Sequence, residues 1–112
     1  SFRKGVPETV DYVFDTRFLN NPHWQEELRH LTGIDGKVQE FVQADIGFQA
    51  FMNNVTQIIE LVLPALQRTG MPQLGVAFGC TGGRHRSVTS AEYLAFWAKE
   101  KQIKHVLEHL EL

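Results

Sequence analysis

The chain has 112 residues, of which 43% are hydrophobic, with 11 Lys or Arg against 13 Asp or Glu and a single cysteine. This length and apolar content predict one globular domain over residues 1–112, and they exclude a disordered or charge-driven chain. A net charge of −2 excludes a general nucleic-acid coat, which needs a strong excess of Lys and Arg. One cysteine cannot form an internal disulfide, which predicts a reducing, cytoplasmic compartment. No stretch has the roughly 20 apolar residues of a membrane span, so no membrane partner is expected.

The first half of the chain predicts one strand followed by helices. Residues 10–15 are rich in β-branched and aromatic side chains and predict a strand, which a loop at 20–24 and a short helix at 25–29 follow. Helix is predicted again from about Val38. A longer helix over residues 48–66 carries apolar side chains at steps of three and four, and Pro64 is expected to kink or end it.

The second half predicts a turn at 70–72, a strand at 73–78 that is buried on both faces, and a glycine-rich loop. A helix from Ser87 and a last strand at 104–110 follow. This order predicts a small α/β domain with a mainly parallel sheet flanked by helices, and an anion-binding loop between a central strand and a helix. Ligands of such sheets bind at the carboxyl ends of the strands, where the loops at 17–24 and 79–87 both lie.

The loop from Gly79 to Ser87 has the composition of an anion cradle. A small-residue loop between a strand and a helix directs backbone N–H groups into a concavity at the positive end of the helix dipole. Arg84 and Arg86 add forked donors, while Thr81 and Ser87 add hydroxyls. The loop therefore predicts phosphate binding, although similar glycine-rich turns also occur without a ligand, with their basic side chains simply solvated.

Cys80 and Arg86 have the spacing C-x5-R, which resembles the phosphate loop of cysteine-dependent protein phosphatases. In those enzymes the thiolate attacks phosphorus and the arginine holds the phosphoryl oxygens. The histidine that usually precedes the cysteine is Gly79 here, and the sequence places neither Asp15 nor Asp35 as a general acid. Catalysis by Cys80 and Arg86 is the alternative to simple binding. The chain has no G-x4-G-K-[ST] motif, so NTP hydrolysis is not expected.

Histidines outside the loop allow two readings. If the two strands are neighbours, His23 can face the glycine loop and bind a ligand; otherwise it caps or packs its own loop, with Trp24 half-buried. His105 and His109 are four residues apart, but that is ligand spacing only on a helix, and a third ligand is missing. We therefore expect no metal site and no cofactor.

Three segments resemble the C-terminal domain of the RapZ (YvcJ) family of bacterial RNase adapter proteins. They are VFDTRFLNNPHW at 13–24, LRHLTGID at 28–35 and GCTGGRHRSV at 79–88. The resemblance implies a regulatory domain that senses glucosamine-6-phosphate, binds small regulatory RNAs, presents them to an endoribonuclease and forms homo-oligomers. Together with the loop chemistry, it gives the predicted ligand-binding residues as His23, Thr81, Gly82, Gly83, His85, Arg86 and Ser87.

Two features depart from the family pattern. Its full-length members have an N-terminal nucleotide-binding domain with a Walker A loop, so the chain is interpreted as an excised fragment or a standalone relative, and ATP and GTP binding are not expected of it. The members that bind RNA end in a basic tail, whereas residues 106–112 contain no Lys or Arg. RNA binding then depends on Arg84, Lys101 and Lys104, with Arg3 and Lys4 as further basic candidates.

Overall fold

The computed structural model describes residues 1–71 and 73–112 as a small α/β domain, which confirms the predicted fold class. In chain order the elements are β1 (Tyr12–Asp15), a 3-10 helix (Pro22–Trp24), α1 (Gly36–Gln43), α2 (Phe48–Arg68), β2 (Val76–Gly79) and α3 (Arg86–Glu100). The two strands pair in parallel, with Tyr12 opposite Val76 and Asp15 opposite Gly79. Both strands therefore end at the same edge of the sheet, and the loops that follow them start side by side.

The core lies between the first two helices and the chain that precedes them. Phe48 and Met52 on α2 are fully buried against Val38 and Val42 on α1, and Leu28 closes the same cluster. These residues recur every three or four positions, so one face of each helix is apolar. Burying each such side chain stabilises the fold by roughly 1.5–3 kcal/mol.

Aromatic contacts fix α2 to the sheet. Phe14 on β1 and Phe78 on β2 both meet Phe51 edge-on, with ring centroids 6.1 and 6.3 Å apart. Phe14 and Phe78 themselves lie 5.8 Å apart on neighbouring strands. Edge-to-face contacts of this kind add about 0.5–1.5 kcal/mol per pair beyond the buried area. They hold the strand ends, and hence the two loops, against a rigid helix.

The predicted last strand at 104–110 is wrong, because residues 101–112 contain no strand. Gln102 has a φ of +58° and reverses the chain after α3. Side-chain contacts rather than a backbone ladder hold the tail: His109 Nε2 lies 3.2 Å from a Glu92 carboxylate oxygen, and Lys4 Nζ lies 2.9 Å from one of Glu111. Val106 is 96% exposed, so the apolar residues that suggested a strand do not pack as one.

Predictions for three shorter segments also need correction. The helix predicted at 25–29 is a single turn, in which Arg29 N donates to Gln25 O at 3.0 Å, after the 3-10 helix at 22–24. Pro64 does not end α2, which continues to Arg68. Residues 76–78 of β2 are half-buried rather than buried on both faces, and β2 is not central, since the described sheet has only two strands. The predicted turn at 70–72 includes Pro72, which lies outside the described residues.

Candidate functional site

The glycine-rich loop joins the end of β2 to the start of α3, as the sequence predicts. Gly83 has a φ of +72°, a left-handed conformation that glycine adopts without strain. Thr16, immediately after β1, donates from both its N and its Oγ1 to the Gly79 carbonyl, each at 2.9 Å. These bonds tie the end of the first strand to the first residue of the loop.

The amino end of α3 has no side-chain cap. His85 occupies the cap position but makes no side-chain hydrogen bond to the helix, and no acidic residue lies in the first turn. The first N–H groups of a helix and the positive end of its dipole attract anions when no side chain caps them. Hydroxyl and guanidinium groups of Ser87 and Arg86 lie in this turn, and both residues are buried. The arrangement supplies donors without a competing carboxylate on the helix itself.

Cys80 lies inside the curve of the loop and is 2% exposed. Its Sγ is 3.2 Å from the Ser87 hydroxyl. Burial by itself would raise the pKa of the Cys80 thiol, but hydrogen bonds from the Ser87 side chain and from the Ser87 and Gly83 backbones, with the charge of Arg86, outweigh burial and lower it. The loop therefore stabilises negative charge on a sulfur atom, which is the chemistry that an anion cradle requires.

Arg86 crosses from α3 to the loop that follows β1. Its Nη1 donates to the Arg17 carbonyl at 2.6 Å and lies 3.5 Å from the Leu19 carbonyl. Backbone carbonyls thus accept hydrogen bonds from the Arg86 guanidinium that the sequence analysis expected it to donate to a bound anion. Arg86 has a structural role in joining the two loops, in addition to the charge that it places at the helix start.

His85 joins α3 to the segment before α1. Its Nε2 lies 2.8 Å from the Leu31 carbonyl, and Gly33 N donates to the Arg84 carbonyl at 2.8 Å. Burial lowers the pKa of His85 despite backbone hydrogen bonds to Leu31 and Arg29, and the charges of Arg84 and His23 lower it further. Burial therefore disfavours the charged form of this imidazole, and its Nε2 is engaged by the backbone.

Gly33 lies directly against the first turn of α3. A Cβ at this position would be 2.5 Å from Thr89 N, 2.6 Å from the His85 carbonyl oxygen and 2.7 Å from Val88 Cβ. Only glycine fits such a close backbone approach. The start of α3 is thus contacted by the loop after β1, through Arg86, and by residues 31–33, so that three separate segments meet there.

These three segments are the ones that carry the resemblance noted above, and comparison with known proteins agrees with it. The family model for the RapZ C-terminal domain matches residues 1–112. The chain belongs to the RapZ C-terminal domain family. A nucleotide-binding protein of Dinoroseobacter shibae is 47% identical over 100% of the chain, and one of Bacillus licheniformis is 45% identical over 94% of it.

The match covers only part of each relative. The chain spans 37% of the Dinoroseobacter shibae protein, 36% of the Bacillus licheniformis protein and 37% of a nucleotide-binding protein of Paramagnetospirillum magneticum to which it is 46% identical. The RapZ C-terminal domain thus corresponds to somewhat more than a third of these proteins. Among the helices of the described residues, none is long and apolar enough to cross a membrane.

His23 of this RapZ C-terminal domain lies in the 3-10 helix, on the exposed side of the loop after β1. Its ring packs edge-on against Trp24 at 5.3 Å, and its carbonyl accepts from Arg29 Nε at 2.8 Å. Trp24 is 75% exposed, so the half-buried alternative is wrong for this side chain.

The basic residues suggested for RNA lie in three different parts of the fold. Arg84 is exposed on the glycine loop. Lys101, just after α3, lies 3.8 Å from Glu60 of α2, and Lys104 is exposed on the tail. Of the three, only Arg84 lies at the site built by the three segments.

An ion pair at the strand ends was not assigned a role from sequence. Asp15 and Arg17 are close in the chain, but their pairing depends on the backbone turning immediately after β1, where Arg17 N donates to Asp15 Oδ1 at 2.8 Å. A short-range Asp-x-Arg pattern at a predicted strand end is the signal that could have found it. The close packing of Gly33 leaves no comparable pattern, since it depends on residues more than 50 positions away.

Proposed function

We propose that this domain is a non-enzymatic, ligand-sensing regulatory domain that binds a phosphorylated metabolite in the loop from Gly79 to Ser87. The observation that supports it most is the amino end of α3, which has no side-chain cap, no acidic residue in its first turn and a glycine loop in front of it. A phosphate there would meet backbone N–H groups, hydroxyls and a positive dipole end together.

The proposed ligand is an amino-sugar phosphate such as glucosamine-6-phosphate. Its phosphate would bind within the loop, to groups of Thr81, Gly82, Gly83, Arg86 and Ser87. His23 would bind the sugar from the neighbouring loop. His85 would act mainly through its backbone, because its Nε2 already bonds the Leu31 carbonyl. The resemblance to the family implies glucosamine-6-phosphate, and the loop chemistry suits the phosphate of such a ligand.

Isothermal titration with glucosamine-6-phosphate and, in parallel, with inorganic phosphate tests the proposal. We expect the sugar phosphate to bind, Thr81→Ala to weaken both ligands, and His23→Ala to weaken the sugar phosphate more than inorganic phosphate. His30→Ala is the matched control, since His30 is an exposed histidine in an adjacent loop segment. Absence of binding, or binding unaffected by both Thr81→Ala and His23→Ala, contradicts the proposal.

Arg86→Ala needs its own control in these titrations. Arg86 is buried and bonds the Arg17 carbonyl, so its removal disturbs the loop after β1 even without a ligand. Thermal unfolding of the free variant measures that structural part. If Arg86→Ala unfolds at the wild-type temperature but binds the ligand less tightly, Arg86 binds the ligand directly.

A cysteine-dependent phosphatase is the second candidate, and the environment of Cys80 favours it. The thiol lies 3.2 Å from the Ser87 hydroxyl and its pKa is lowered, as a nucleophilic cysteine requires. The commitment of Arg86 to a backbone carbonyl argues for binding instead, because a phosphatase directs this fork to the phosphoryl group. Turnover of an aryl phosphate that is abolished by Cys80→Ser would replace the first proposal; no turnover retires the second.

An adapter role toward small regulatory RNA and an endoribonuclease, in a cytoplasmic homo-oligomer, extends the first proposal. It is favoured by family membership and by exposed Arg84 at the site. We expect a gel shift of structured RNA that weakens steeply with salt, and that weakens in Arg84→Gln but not in Lys37→Gln, which removes an exposed positive charge from α1. No shift at low salt contradicts RNA binding by this domain.

A further inference from the structure

The tail after α3 returns to the glycine loop. α3 has 15 residues, so its last turn lies about 22 Å from the loop at its start. Residues 103–111 cover this distance in the opposite direction without helix or strand, and His109 attaches them to Glu92 of α3 at 3.2 Å. Glu111 then contacts the loop directly, since a Cβ on Gly83 would be only 2.5 Å from its Cγ. Its side chain is 11% exposed, so this end of the tail is well packed.

Glu111 also holds the first four residues of the chain. Its carboxylate lies 2.9 Å from Lys4 Nζ. Lys4 N donates to the Ser1 carbonyl at 3.1 Å, so residues 1–4 form a turn that moves as one piece with the Lys4 side chain. The Ser1 side chain is 3% exposed. Residues 1–4 and Glu111 together form a clasp that lies on the glycine loop.

The clasp orients two peptide groups of the loop. Phe2 N donates to the Cys80 carbonyl at 3.0 Å, and Ser1 Oγ donates to the Thr81 carbonyl at 2.7 Å. In a planar trans peptide the N–H points opposite to the C=O, so the N–H groups of Thr81 and Gly82 point away from the clasp. Both residues belong to the proposed phosphate site. By holding the two carbonyls, the clasp fixes the direction of two donors for the phosphate.

We infer that the clasp positions the phosphate loop, so that docking of the tail through Glu111 and binding of an anion strengthen each other. This inference rests on the proposed function of the loop from Gly79 to Ser87. When the clasp is open, the two peptide groups can rotate, and binding has to order them first. Couplings between two binding equilibria are reciprocal, so the anion favours the docked tail by the same factor by which the clasp raises anion affinity. Glu111 is a positioning residue and touches no ligand.

The negative charge of Glu111 makes the sign of the effect diagnostic. A carboxylate beside an anion site lowers affinity by Coulomb repulsion. If charge alone mattered, removing this carboxylate would strengthen phosphate binding. Loss of the clasp has the opposite effect, because it frees the donors of the loop.

Titration of the full chain with inorganic phosphate tests the clasp. We expect Glu111→Gln to weaken phosphate binding about two- to fivefold, the range that an exposed ion pair supports. Lys4→Gln should weaken it by a similar factor, and the double variant by no more than either single change, because both changes remove the same contact. Glu108→Gln is the matched control, since it removes the same charge from an exposed position of the tail and should leave the affinity unchanged.

A second measurement follows the tail itself. Amide order parameters from nuclear magnetic resonance report the mobility of Leu110 and Leu112. We expect their order to rise when phosphate is added to the wild-type chain, and to stay low with or without phosphate in Glu111→Gln. Loss of fold stability alone would not make the order of the tail depend on phosphate.

The possible results separate the clasp from the phosphate site. Unchanged or tighter phosphate binding by Glu111→Gln, or a tail whose order does not respond to phosphate, overturns the clasp and leaves the proposed phosphate site intact. If the wild-type chain binds no phosphate, the proposed function is wrong and the clasp fails with it. Should Glu111→Gln not fold, Lys4→Gln tests the same contact from its 74% exposed side.

Discussion

Replacing Gly33 with alanine tests whether the loop segment before α1 really lies in backbone contact with α3. The added Cβ would come within 2.5 Å of Thr89 N and 2.6 Å of the His85 carbonyl oxygen. Neither atom can rotate away as the end of a flexible side chain could, because both belong to the first turn of a helix. The Gly33 N–H, which donates to the Arg84 carbonyl at 2.8 Å, also resists a shift of the segment.

We expect Gly33→Ala to lower the free energy of unfolding by about 2 kcal/mol. Overpacking against a fixed backbone costs about 1–3 kcal/mol, and the upper half of that range applies where two backbone atoms must move. Alanine restricts the unfolded chain and returns about 0.4–1 kcal/mol. In a domain of this size the net loss corresponds to a decrease of about 8 °C in Tm.

Urea and thermal unfolding measure this loss, with Gly36→Ala as the matched control. A Cβ at Gly36 would meet no atom within 4 Å, and this residue begins α1. Its replacement should stabilise the domain slightly, by about 0.4–1 kcal/mol, through the unfolded state. If Gly33→Ala unfolds within about 0.5 kcal/mol of the wild-type chain, the contact between residues 31–33 and α3 is not as close as described, and the convergence of three segments fails with it.

Three other predictions concern the loop and its first helical turn. The pKa of His85 lies below its ordinary value of 6.5, so as the pH falls the imidazole is protonated in the unfolded chain before it is protonated in the folded one. The free energy of unfolding should therefore decline as the pH falls below about 6.5. Its loss between about pH 7.5 and about pH 5.5 should be smaller in His85→Gln. Ser87→Ala should raise the pKa of the Cys80 thiol, seen as a higher midpoint of thiolate ultraviolet absorbance; an unchanged midpoint means that the hydroxyl does not stabilise the thiolate. Gly83→Ala should lower the free energy of unfolding by about 1–2 kcal/mol because of its left-handed backbone, whereas Gly82→Ala, with open space at its Cβ, should have little effect; equal unfolding of the two variants contradicts this difference.

The local patterns that predicted the fold were those in which one segment decides its own structure. The apolar steps between Phe48 and Leu66 predicted α2, and the run before Gly79 predicted β2 to within a few residues. The glycine loop and the helix after it were also predicted, because glycines and a following amphipathic segment determine a strand-loop-helix unit without distant partners.

The tail shows where this reasoning fails. A strand needs the edge of another strand to pair with. The alternation of apolar and polar residues between 104 and 110 does not show whether such an edge is available. In the structure the chain turns at Gln102, which has a positive φ, and residues 101–112 form no strand. Of the two outcomes expected at Pro64, the end of the helix is wrong, because α2 continues to Arg68. Packing of a helix can outweigh the backbone hydrogen bond that a proline lacks.

The candidate site was predictable in its composition but not in its connections. The donors of the loop follow from residue types at a helix start. The fork of Arg86 on the Arg17 carbonyl and the imidazole of His85 on the Leu31 carbonyl could not be predicted, because each joins residues at least 54 positions apart. Such contacts depend on tertiary packing, which no local period encodes.

The parallel pairing of β1 with β2 also determines when the site can exist during folding. Tyr12 pairs with Val76, so closing the sheet encloses a loop that contains both α1 and α2. The entropic cost of closing a loop grows with its length, and non-local strand pairs therefore form after local helices. The two halves of the candidate anion site, the loop after β1 and the loop after β2, come together only when these strands pair. In a chain that has formed its helices but not its sheet, the residues of the site are still far apart. A ligand can therefore stabilise only the state in which the two strands have paired.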